Sequence, residues 1–115
     1  MISFKYRFHG HGSLDFLFRK GDIKRSNFLT IKYLPNKFRR YSRFSVIISK
    51  KITKKAVLRN RIRRRIYGII RTEIIPKIKS TYDVAIIINS IDINKLNYLE
   101  LKNKIINLFQ QANLL

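Results

Sequence analysis

KKAVLRNRIRRRIYGIIR, residues 54–71, contains no acidic residue, yet an apolar residue returns every three or four positions. On a wheel turning 100° per residue, Leu58, Ile62, Ile66, Ile69 and Ile70 gather within a third of the circumference. A stripe of that width is a helix face that docks on an apolar surface. Asn60, Arg64, Tyr67 and Arg71 take the opposite pole, with Arg61 and Arg63 on its flanks. Arg59 and Arg65 fall near the margins of the stripe, so they are expected to lie along the protein surface beside the helix.

The surface on which this helix docks is legible on either side of it. YDVAIIIN (82–89) is short, apolar on both faces and reads as a central strand. FSVIIS (44–49) is β-branched and reads as a buried strand. In SNFLTIKYLPN (26–36), Leu29, Ile31 and Tyr33 point one way and Phe28, Thr30, Lys32 and Leu34 the other. IKR (23–25) reads as a short edge strand and KFRRYSR (37–43) as a basic turn. Near the start, Ser13 is the expected cap of a helix, with Asp15 in its first turn and Gly21 at its end; Leu14, Leu17 and Phe18 share its apolar face. Asp92 or Asn94 is the expected cap of a last helix with apolar positions Leu96, Leu99, Ile105, Ile106, Leu108 and Phe109. The expected order is α-β-β-β-α-β-α, a single α+β domain over residues 1–115 with helices packed on one central sheet.

Charge limits the partners. The chain has 26 Lys and Arg against 6 Asp and Glu, a net charge of +20. Self-repulsion on that scale destabilises a free protein and points to a polyanion as the normal companion, nucleic acid ahead of an anionic membrane surface. The longest wholly apolar run, VAIII (84–88), is too short to span a bilayer. The first residues lack the apolar core of a secretory signal, and with no cysteine the expected location is the cytoplasm.

Most charged helix faces are simply solvated, but those mix signs. Here Arg61/Arg65 and Arg59/Arg63 are like-charge pairs at helical spacing with no acid to relieve them. Arginine, whose planar fork matches phosphate, outnumbers lysine in the helix. Lys50, Lys51, Lys54 and Lys55 stand at its N-terminal end, where backbone N–H groups also attract phosphate. Residues 50–71 thus carry ten positive charges and no negative one. A helix docked by a third of its surface exposes a broad ridge, which suits folded RNA better than a DNA groove. The six acids are scattered and form no close pair for two-metal chemistry. His9 and His11, in a glycine-containing loop, lack a third ligand, so no metal site is expected.

SKKITKKAVLRNRIRRRI (49–66), with Arg59-Asn60-Arg61 at its heart and Lys50, Lys51 and Ala56 before it, resembles the signature of the bacterial ribonuclease P protein subunit. YRFHGHGSLDFLFRKG (6–21), FLTIKYLPN, RFSVIISKK, YDVAIIIN and LNYLELKNKIINLF resemble the other elements of that family. The resemblance implies a ribosomal-protein-S5-domain-2-like fold with a left-handed βαβ crossover, against the usual right-handed rule. It also implies an accessory subunit of an endoribonuclease. The catalytic RNA, with bound Mg²⁺, would hydrolyse precursor tRNA to release the 5′ leader. The protein would contribute no catalytic group; it would stabilise that RNA and hold the leader. Neither membrane nor DNA is an expected partner. The rival readings are a ribosomal or other structural RNA-binding protein, and a DNA-binding helix protein.

Carried over by position, the implied leader cleft comprises Leu14, Phe18, Lys32, Lys51, Ala56, Arg59 and Asn60. The implied contact with catalytic RNA comprises Arg61, Arg63, Arg64 and Arg65, joined by Arg71 and the four lysines on charge alone. Leu14 replaces a usual Phe, and Lys32 a frequent Tyr that would stack where lysine attracts phosphate. Phe28 and Tyr33 are candidates to compensate. From the residues alone, Phe18 suits either base stacking or the core. Tyr67-Gly68 replaces a common Arg-Glu, and Asn89-Ser90 replaces an Arg-Pro that would contribute a phosphate contact.

Overall fold

The computed structural model describes Tyr6 and residues 11–115. The elements in order are α1 (His11–Lys20), β1 (Asp22–Arg25), β2 (Leu29–Pro35), β3 (Arg43–Ile47), α2 (Ala56–Ile69), β4 (Tyr82–Ile88) and α3 (Tyr98–Gln111). A π-helical turn, Ile70–Ile74, extends α2 before Pro76, and a 3₁₀ turn, Ile91–Lys95, precedes α3. This is the expected α+β order. The four strands form one sheet in the order β1-β2-β4-β3, with β3 and β4 parallel and the other pairs antiparallel. β4 is therefore central, as its two apolar faces require.

Alternate residues of a strand face opposite sides, and the sheet uses both. Leu29, Ile31, Phe44, Val46, Val84 and Ile86 join Ile62, Ile66, Ile69 and Ile70 of the α2 segment and Ile105, Leu108 and Phe109 of α3 in the main core. On the other face, Leu17 of α1 lies against Ala85, flanked by Leu14, Phe18, Leu34 and Ile47. The small side chain of Ala85 admits the helix at the middle of β4.

α2 has little local support. It has no side-chain cap and no acid in its first turn, and lysines stand at the positive end of its dipole. Burial supplies the stability: Ile62, Ile66, Ile69 and Ile70 are all but fully buried, each contributing about 1.5–3 kcal/mol. Tyr67 departs from the wheel. It is buried, not at the exposed pole, and its hydroxyl accepts the Val46 N–H at 3.2 Å. That N–H belongs to the outer edge of β3, so the tyrosine protects an otherwise open sheet edge.

Two helix starts differ from expectation. α1 begins at His11, so Ser13 lies inside it and Asp15 misses the first turn. Packing of Leu14, Leu17 and Phe18 on the sheet stabilises more than a local cap can, and it carries the helix back through Gly12. His11 thus opens a helix, and His9 lies outside the described residues. α3 is capped by Asn97, neither Asp92 nor Asn94: its Oδ1 accepts the Glu100 N–H at 2.8 Å, and Glu100 Oε1 accepts the Asn97 N–H at 3.0 Å. That reciprocal box satisfies two orphan amides at once. With the helix so placed, Leu101 is buried and Leu99 is exposed.

Gly21 closes α1 as expected, donating its N–H to the Leu17 carbonyl at 2.8 Å. A Cβ there would stand 2.6 Å from that oxygen and 3.1 Å from the Tyr33 carbonyl. Both are backbone atoms that cannot yield cheaply. Gly21→Ala is expected to cost about 1–3 kcal/mol, measured as a lowered urea midpoint with unchanged slope.

Candidate nucleic-acid interface

The surface of α2 is built by placing its arginines around the buried stripe. Arg61, Arg64 and Arg71 are exposed on the side away from the sheet, and Arg63 is half-exposed beside them. The margin arginines turn along the surface, as the wheel requires: Arg59 Nη1 donates to the Thr53 carbonyl at 3.0 Å, and Arg65 Nη2 donates to the Leu96 carbonyl. Arg63 Nη1 donates to Asn60 Oδ1 at 3.1 Å. These bonds spread like charges that would otherwise crowd. Burial, and then the neighbouring Arg61, pull the Arg65 guanidinium below the usual arginine range.

Three of the six acids are paired elsewhere. Glu73 faces Lys77 and Lys102, Asp92 faces Lys95, and Asp83 faces Arg43. Among the described residues, no ion pair reaches Arg61, Arg63, Arg64 or Arg71. The α2 N-terminus, with Lys50, Lys51, Lys54 and Lys55 exposed around it, continues the positive surface. Gly68 lies on this face as well, and a Cβ there would meet nothing within 4 Å. The protein's own packing does not require a glycine at that position.

A cleft of about 520 Å³ opens beside α1 on the face of the sheet that α1 crosses. Phe18 and Lys32, expected there, line it together. Lys32 Nζ donates to the Phe18 carbonyl at 2.7 Å and stands 5.2 Å from the centre of the Phe18 ring. The lysine thereby complements the negative end of α1 and steadies the aromatic ring it overlies. Leu14 packs on the same face of the sheet as Phe18. Lys51, Ala56, Arg59 and Asn60 do not line this cleft.

Phe28 and Tyr33 cannot compensate for the missing Tyr. Both pack on the main core, across the sheet from Phe18, and Lys104 lies over the Phe28 ring. Phe28 precedes the strand and so escapes its alternation. Burial, followed by Asp22 and Tyr82, raises the Tyr33 hydroxyl above its ordinary range.

Ile23, Arg25, Thr30 and Ile87, which the sequence assigns to no cleft, complete the lining together with Asn89, where the usual Arg is replaced. Alternation placed Thr30 with Lys32, but the pairing Thr30↔Ile87 that completes the floor is a matter of register. Asn89 Nδ2 donates to Thr30 Oγ1 at 2.9 Å and to the Ser26 carbonyl at 3.1 Å. Arg25, at the end of β1, brings a guanidinium to the cleft where Asn89 lacks one. No group of His, Asp or Glu that could hold a metal ion occurs among the described residues. Nor is any helix among them long and apolar enough to cross a membrane.

The family model described as Ribonuclease P matches residues 3–113. The ribonuclease P protein component of a Pseudanabaena species is 30% identical over 99 residues, covering 86% of this chain and 84% of its own. That of a Synechocystis species is 32% identical over 99 residues, covering 86% and 78%. Among solved structures, the Staphylococcus aureus RNase P protein superposes with a TM-score of 0.83 at 21% identity, covering 95% of this chain and 96% of its own. The Thermotoga maritima protein gives 0.81 at 20% identity, covering 91% and 96%. These two establish likeness of fold.

Proposed function

The chain belongs to the ribonuclease P protein family, and from that premise we propose how its two surfaces divide the work of an RNA-binding subunit. The exposed face of α2 binds the catalytic RNA. The cleft beside α1 takes the single-stranded 5′ leader of precursor tRNA. Hydrolysis of the phosphodiester, and the Mg²⁺ it uses, belong to the RNA; the protein's part is to neutralise phosphate and orient the substrate.

The observation that carries this reading is the acid-free arginine face of α2. Such a face is unfavourable for the isolated protein and favourable against a polyanion, because each neutralised phosphate releases counterions. The cleft supplies a second kind of contact. Phe18 offers an aromatic face, and Arg25 and Lys32 offer charge beside it. Base stacking on such a ring contributes about 1–3 kcal/mol. Arg59 and Asn60, at the start of α2, are assigned to the substrate where it meets the catalytic RNA.

Adding the purified protein to its cognate catalytic RNA in low Mg²⁺ should raise cleavage of precursor tRNA. No gain at any protein concentration would count against the assignment. Within that assay, Phe18→Ala should weaken binding of a leader-bearing precursor about fivefold or more while leaving mature tRNA unchanged. Equal loss for both RNAs would show that Phe18 does not read the leader. A melting curve for the variant separates lost contact from lost packing.

A further inference from the structure

α1 lies across the sheet where Lys32 pairs with Ala85, and a second cleft opens on its other side. This one, of about 550 Å³, lies toward the Leu34 and Asp83 end of the sheet. Leu34 is four residues beyond Thr30, so the two floors are about 13 Å apart along the strand. Phe16, Leu34, Pro35 and Phe38 form its apolar lining.

Phe38 is 101% exposed and Phe16 49% exposed. The Phe38 ring therefore contributes almost no packing to the fold. Scattered exposed apolar residues are ordinary, but these two rings share one concave site. The acid at that site is neutralised, because Asp83 accepts from Arg43 Nε and Nη2 at 2.9 and 2.8 Å and from Asn36 Nδ2 at 2.9 Å. The exposed cations Lys37, Arg39 and Arg40 surround Phe38 in the turn.

We propose that this second cleft binds a nucleotide of single-stranded RNA, its base stacked on Phe38 and Phe16 and its phosphates drawn by Lys37, Arg39 and Arg40. Aromatic rings interleaved with cations are the chemistry by which single strands are held without sequence preference. The volume falls within the range of small-ligand sites. Charge excludes a cationic partner and favours RNA, which satisfies both the rings and the lysine and arginines. The site is separate from the proposed leader cleft and does not depend on assembly with a catalytic RNA.

The chain has no tryptophan, so Phe38→Trp places a single indole reporter in the cleft. In a Phe18→Ala background, which removes the ring of the other cleft, a ten-nucleotide oligouridine should quench that fluorescence. In the same background, Phe38→Ala should weaken oligouridine binding about fivefold or more at fixed salt. An exposed ring can be removed without unfolding the protein, and circular dichroism checks this. Absence of quenching together with unchanged affinity of Phe38→Ala would overturn the proposal. Equal quenching by polyglutamate would also overturn it, since an acidic peptide would then suffice. Because the assay contains no catalytic RNA, failure of the ribonuclease P assignment would leave its result intact.

Discussion

Asp83→Ala is expected to lower the unfolding free energy by about 3 kcal/mol, with a fall of roughly 10 °C in melting temperature. The carboxylate sits at the start of β4, paired in register with Arg43 on β3 and Leu34 on β2. It accepts two bonds from the Arg43 guanidinium and one from the Asn36 amide. It therefore ties the strands on both sides of β4 together at one end of the sheet. Removing it takes from Arg43, whose side chain is 13% exposed, a carboxylate that offsets its desolvation. Loss of one partner costs more than loss of both, because the remaining charge still carries its desolvation penalty. Arg43→Met/Asp83→Leu should accordingly be more stable than Asp83→Ala alone. Urea denaturation of the three proteins measures the effect. If Asp83→Ala proved as stable as wild type, the pair would be solvated in solution and the strands held by apolar packing alone.

Arg64→Glu should weaken assembly with the catalytic RNA roughly tenfold to a hundredfold, the scale of one lost charge-assisted contact plus an introduced repulsion. Arg64 is exposed, and among the described residues no ion pair involves it, so folding should be unaffected. The dependence of affinity on salt should also become shallower by about one unit of logarithmic slope. Titration of labelled RNA at several salt concentrations reads both effects. Arg65→Glu should behave differently, because that guanidinium is already bonded to the Leu96 carbonyl: its loss should lower stability as well as affinity. An Arg64→Glu protein that assembles normally would move the RNA contact off this face.

Residues that act through one element were the most legible. The apolar stripe of α2 is a property of 3.6-residue spacing, and Ile62, Ile66, Ile69 and Ile70 are buried as that spacing demands. The same spacing placed Arg59 and Arg65 along the surface. β4 was recognisable as central because only a doubly covered strand can be apolar on both faces. Gly21 marked the end of α1 because a side chain there would strike two carbonyls. A residue whose role depends on a neighbouring element is not legible in local spacing. Tyr67 lies far from the centre of the stripe on a wheel, yet the open edge of β3 draws it inward. Asn97 competes with Asp92 and Asn94 as a cap, and the outcome rests on Glu100 returning the bond.

By itself, then, the sequence determined an α+β chain with one amphipathic basic helix, a sheet to receive it and a charge that calls for a polyanion. These follow from periodicity and composition, which act over a few residues or over the whole chain. Only the tertiary structure decided where α1 crosses the sheet, and with it the division of that face into two clefts. That crossing depends on Leu17 meeting the small side chain of Ala85 across 68 positions of sequence. The contact of Lys32 with Phe18 and the division of Arg25 and Asn89 to one cleft, Phe16 and Phe38 to the other, are read only from that packing. Contacts of that range are set by strand register and packing, which no local pattern encodes.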